Sequence, residues 1–177
     1  MNYRVVYLLN GESKKYVEKL IRDVAKKFNV NYVYSGKTPA HITLKYMFET
    51  DNVKRIENTI NKICKRIKSS TFEIGKVGNF EKNALILKIK PSNEMIKFEK
   101  QLIKELHNFR GDLFKFDKSL YKNFHIGIAH HDIKEKYNEI KSYLEEHNKK
   151  FKIKFDQVYL IKKPKNKWII QKEFKIK

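Results

Sequence analysis

Two short segments carry the residue types of proton-transfer chemistry: His41-Ile42-Thr43-Leu44 and His125-Ile126-Gly127-Ile128. Side chains alternate between the two faces of an extended strand. His41, Thr43 and Lys45 are therefore expected on one face, with Ile42 and Leu44 on the other. In the second segment His125, Gly127 and Ala129 share a face, opposite Ile126 and Ile128. The apolar faces can pack on helices, which leaves the histidine faces free to point at each other. An imidazole titrates near neutral pH, so one ring can be a neutral base while its partner is a charged acid. Two such rings on opposite sides of one phosphate suit phosphodiester chemistry. The imidazolium and a hydroxyl two residues along the strand offset the developing charge, with no metal. A lone strand histidine is more often a surface or core residue; the pairing of two carries the chemistry.

The elements around them follow from hydrophobic spacing. Residues 3–9 read as a strand, and Val17, Leu20, Ile21, Val24, Ala25 and Phe28 mark an amphipathic helix over 12–28. A short strand is expected at 30–34, a loop at Ser35-Gly36-Lys37-Thr38-Pro39, and a strand at 40–48. Asp51 reads as the cap of a helix over 52–68. Strands at 71–76 and 83–90 complete the first run. The order then repeats. Pro91-Ser92 opens a helix bearing Met95, Phe98, Leu102, Ile103 and Leu106, with Gly111 past its end. A strand spans 123–130, Asp132 caps a fourth helix, and segments 151–162 and 167–176 pair across a turn around Pro164. His41 and His125 stand on equivalent strands 84 residues apart (125 minus 41), about half the chain. The fold class expected is α+β and bilobal: two pseudo-symmetric lobes, each a mostly antiparallel sheet backed by two helices, with an active-site cleft between them. One domain spans 1–177, its lobes dividing near 1–83 and 84–177, with exchange of strands between them allowed.

This pattern resembles the two-histidine phosphoesterase superfamily, in particular its 2′-5′ RNA ligase / cyclic phosphodiesterase group. The family signature is a pair of His-x-Thr/Ser-x motifs in the two halves of a bilobal fold. His41-Ile42-Thr43-Leu44, preceded by Pro39, is similar to the first motif in full. Asn123-Phe124-His125-Ile126-Gly127-Ile128 resembles the second, except that Gly127 stands where the family has Thr or Ser. The run through Phe151, Val158-Tyr159-Leu160 and Trp168-Ile169-Ile170 is similar to the family's closing hairpin. The resemblance implies a metal-independent phosphoesterase without cofactor, acting on RNA 2′,3′-cyclic phosphate ends or 2′-5′ linkages. By the same analogy His41 and His125 are the acid–base pair, their assignment open, and Thr43 anchors the phosphate. Gly127 is a phosphate contact through its backbone, a water or a nearby lysine, or it is a simple bulge. Lys45 enters as a phosphate contact from alternation alone.

Other candidates carry less. His130 and His131 beside Asp132 suggest a metal, but His130 is expected to alternate away from His125 and Asp132 to cap a helix, so no metal site is expected. Tyr121, Lys122 and Phe124 flank His125, where an aromatic ring can stack a base or pack at the strand edge. Cys64 lies on an apolar helix stripe and cannot form an internal disulfide alone. The balance of 40 Lys+Arg against 20 Asp+Glu gives +20, a field that attracts polyanions, RNA or DNA first. Lysine supplies 35 of the 40, whereas specific phosphate and base contacts favour arginine, so charge alone is even-handed. No apolar run is long enough to span a bilayer and no signal peptide is visible, so a cytoplasmic monomer without a membrane partner is expected. Two rival readings stand: a non-catalytic or weakly active RNA- or nucleotide-binding module, favoured by Gly127, and a hydrolase of small cyclic or 2′-5′-linked signalling nucleotides.

Overall fold

The computed structural model describes residues 1–36, 38–107, 124–165 and 167–177. Expectations for Lys37, Gly111, Tyr121, Lys122 and Asn123 lie outside these. The described chain runs β1 (Asn2–Leu8), α1 (Gly11–Phe28), α2 (Tyr32–Ser35), β2 (His41–Glu49), α3 (Val53–Cys64), β3 (Ser70–Phe80), β4 (Ala84–Lys90), α4 (Asn93–Glu105), β5 (His125–His130), a 3-10 turn (Lys134–Lys136), α5 (Tyr137–Glu146), β6 (Phe151–Phe155), β7 (Gln157–Lys163) and β8 (Ile169–Lys175).

The strands form two antiparallel sheets, ordered β2-β1-β7-β8 and β5-β4-β3-β6. This is a bilobal α+β architecture in which the two histidine strands occupy equivalent edges. The sheets cross the midpoint of the chain: β3 joins β4, β5 and β6, while β7 and β8 complete the sheet of β1 and β2. Segment 151–162 is consequently two strands and not one. It breaks at Asp156, where β6 ends in one sheet and β7 begins in the other. The β7–β8 pairing around Pro164 is as expected.

The helices pack by their apolar stripes. Val17, Leu20, Val24, Ile56, Ile60, Leu102, Ile140 and Leu144 share one buried cluster with Ile42, Leu44, Ile126 and Ile128 from the histidine strands. Each such aliphatic side chain contributes about 1.5–3 kcal/mol on burial. Helix α4 is capped as expected, Ser92 accepting from Met95 N at 3.1 Å. Helix α3 is capped by Asn52, which accepts from Arg55 N at 3.1 Å, and not by Asp51. No helix of the described residues is long and apolar enough to cross a membrane.

Two local departures have one cause. The β-rich run at 30–34 forms the short helix α2, because the Asp132 carboxylate accepts from Asn31 N at 2.6 Å and Tyr32 N at 2.9 Å. Those N–H groups would otherwise lack partners at a helix start. Asp132 is thus committed to α2, 100 residues away, and α5 opens through the 3-10 turn with no side-chain cap.

Candidate active site

Strand β2 lies against β1 with Leu8 opposite His41 and Val6 opposite Thr43. The next pair is Val5 with Lys45, so Leu44 is an extra residue and β2 bulges there. Strand β5 repeats the device. Lys88 faces His125 and Ile86 faces Gly127, but Leu85 faces Ala129, leaving Ile128 extra. Each bulge falls three residues after its histidine. A bulge re-aims every side chain beyond it.

Alternation therefore holds for His41 and Thr43, and for His125 and Gly127, and fails after them. Lys45 is turned to the core side with its ladder partner Val5. It is 1 % exposed, and its Nζ lies 5.3 Å from the Phe48 ring centre. It does not share the His41 face. Ala129 is likewise buried in the core, and His130 returns to the His125 face through its pairing with Ala84. The expectation that His130 points away is corrected by the same bulge.

A cavity of about 630 Å³ gathers the rest. Its lining includes Arg4, His41 and Thr43 from one sheet and His125, Gly127 and His130 from the other. Such a volume suits a small ligand. The hydrogen bonds of His41 fix its tautomer. Pro39 carbonyl oxygen lies 2.8 Å from Nδ1 and can only accept, so Nδ1 carries the proton. Arg4 Nη1 lies 3.3 Å from Nε2 and can only donate, so Nε2 holds a lone pair. Burial pushes the His41 pKa down to about 4. The Arg4 charge and His125 act in the same direction, and the Pro39 bond opposes them. His41 is a neutral ring in this cavity near pH 7. The His125 ring packs edge-on against Phe80, centres 4.9 Å apart. Burial also lowers the His130 pKa, with His131 adding and Asp132 opposing.

Gly127 is not demanded by space: a Cβ there would meet only His130 Cδ2, at 3.8 Å. Arg4 is a site residue that no motif marks. Its guanidinium carbon sits 4.6 Å from the Trp168 ring centre. The visible signal is a cation alternating with Val6 and Leu8 on an otherwise apolar strand face. His130 offered no such signal, because bulges are invisible to a period-two reading. Among the described residues no three His, Cys, Asp or Glu side chains gather as metal ligands.

Comparison with curated proteins finds no match. Solved structures match over almost the whole chain. The TT0787 protein of Thermus thermophilus superposes with TM-score 0.66 at 10 % identity, covering 99 % of this chain and 98 % of its own. E. coli LigT complexed with ATP gives 0.62 at 11 % identity, covering 99 % and 97 %. LigT complexed with 3′-AMP gives 0.61 at 12 % identity, with the same coverage. At these identities the likeness is one of fold. The 2′-5′ RNA ligase superfamily model matches residues 16–167, and with that span of 177 residues the chain belongs to this superfamily of phosphoesterases and ligases.

Proposed function

We propose that the chain is a metal-independent phosphoesterase acting on RNA 2′,3′-cyclic phosphate ends or 2′-5′ linkages, with His41 as general base and His125 as general acid. The observation that carries this reading is the shared cavity in which His41, neutral and with its Nε2 lone pair defined, meets His125 from the opposite sheet. In the hydrolytic direction His41 Nε2 takes a proton from water as the water oxygen bonds to phosphorus. The P–O3′ bond breaks, and His125 gives its proton to the departing O3′, leaving a 2′-phosphate. Thr43, which lines the same cavity, holds a non-bridging oxygen in this reading. Nucleotide-sized substrates accord with the cavity volume and with the ATP and 3′-AMP complexes of LigT. One observation favours a second reading, a binding module with little turnover: Gly127 provides no hydroxyl opposite Thr43.

The test is turnover of 2′,3′-cyclic AMP and of a 2′-5′ dinucleotide with EDTA present. Turnover should persist in EDTA and fall at least about 100-fold in both His41→Ala and His125→Ala, the scale of a lost general acid or base. Binding without turnover in the unmodified chain would select the module instead.

A further inference from the structure

Arg4 is a cation in an unusual place. Its Nε is wholly buried and has no hydrogen-bond partner. Its guanidinium lies over Trp168, which belongs to a small apolar cluster with Val6, Leu8 and Ile161. Among the described residues no carboxylate pairs with it; its hydrogen bond is to a neutral imidazole, His41 Nε2. Arginine keeps its charge in proteins, and a buried charge is costly unless a counter-charge compensates it. A guanidinium held inside a cavity without an anion is a site built for one. Its planar fork matches two oxygens of a phosphate.

The pseudo-symmetry says why one half needs it. His41 pairs with Leu8 and His125 with Lys88. Four residues back along each partner strand stand Arg4 in β1 and Ala84 in β4. At these equivalent positions, among the described residues, the second half has Gly127 in place of the motif hydroxyl and Ala84 in place of the arginine.

We propose that Arg4 is the phosphate clamp of this site: in the free protein its N–H caps the His41 Nε2 lone pair, and a bound phosphate draws the guanidinium onto its non-bridging oxygens and uncaps the base. The base is then released only when the ester is in place, which couples binding to proton transfer. This rests on the reading of His41 as base, whereas anion binding by Arg4 does not. The other charged or titratable groups lining the cavity are Tyr32, Tyr46, His125, His130 and Lys163.

The experiment uses the full chain and two variants, Arg4→Gln and Arg4→Lys. Inorganic phosphate binding is read by calorimetry, and kcat/KM for 2′,3′-cyclic AMP is read against pH. Arg4→Gln should bind phosphate at least about tenfold more weakly and lose about 100-fold in kcat/KM, the scale of one lost oxyanion donor. Its acidic limb should move up in pH, since the Arg4 charge helps hold His41 neutral. Arg4→Lys, which keeps the charge but not the fork, should fall between and serves if Arg4→Gln does not fold. Phosphate binding as tight as the parent's in either variant, with the limb unmoved, would reduce Arg4 to a packing partner of Trp168 and overturn the clamp. So would a parent chain that binds no phosphate. Arg4-dependent phosphate binding in a chain without turnover would retain the anion site and reject the catalytic reading instead.

Discussion

The partners of His41 leave it no choice of tautomer and burial keeps it neutral, as the proposed role of base requires. The free-enzyme pKa governs kcat/KM. The acidic limb of kcat/KM should therefore fall near pH 4, where His41 takes up its proton, and not near the ordinary 6.5. A limb at about 6 or above, measured with 2′,3′-cyclic AMP, would count against His41 as the base. The linkage has a definite sign. Between about 6.5 and about 4 unfolded His41 binds a proton that folded His41 excludes, so this group lowers stability progressively as pH falls through that window. Gly127 gives a second handle. Room for a Cβ means that Gly127→Thr should fold normally and restore a hydroxyl two residues from His125. A gain of about 5–150-fold in kcat/KM is expected from one charge-assisted hydrogen bond of about 1–3 kcal/mol; loss of activity with folding intact would show that the glycine is needed. Residue type and spacing were enough to single out His41, Thr43, His125 and Gly127, which the structure brings to one cavity. Arg4 is marked in the sequence only as a cation on an apolar strand face, and His130 reads as pointing away because the bulge before it is invisible to alternation.

The strand and helix stripes were readable because each has a clear period: α1, α3 and α4 follow their apolar residues closely. What local pattern could not reveal was decided by distant groups. The 30–34 run has strand-like residues, yet two backbone N–H groups donating to a carboxylate 100 residues on make it helical. Asp132→Ala should cost about 1–2 kcal/mol by urea unfolding, the range of a lost cap. It should also raise KM, since Tyr32 and Val33 of α2 line the cavity. An unchanged KM together with unchanged stability would show that α2 holds without this cap. Lys45 illustrates the other failure. Alternation is sound until a strand gains a residue, and the Leu44 bulge sends the lysine inward beside Phe48. The matching bulge at Ile128 is what brings His130 back to the site.

Two sheets assembled from strands of both halves hold the histidine strands at corresponding edges, so neither half carries the site alone. The chain carries a net charge of +20, and its cavity of about 630 Å³ is of nucleotide size. These two features separate by salt. For a cyclic mononucleotide, kcat/KM should change little between about 50 and about 200 mM salt, because few counterions are released. Affinity for an RNA oligonucleotide with the same end should fall about tenfold or more if several phosphates are neutralised, with a slope near about −0.7 per contact. Equal salt responses would confine recognition to the terminal nucleotide. The proposed chemistry requires both imidazoles to act on one phosphorus, and a crystal structure with inorganic phosphate in the cavity measures that directly. The expected result is a single phosphate with His41 Nε2 and a His125 ring nitrogen each about 2.7–3.1 Å from its oxygens, hydrogen-bond distance. A phosphate reached by one ring while the other stays beyond contact would contradict it.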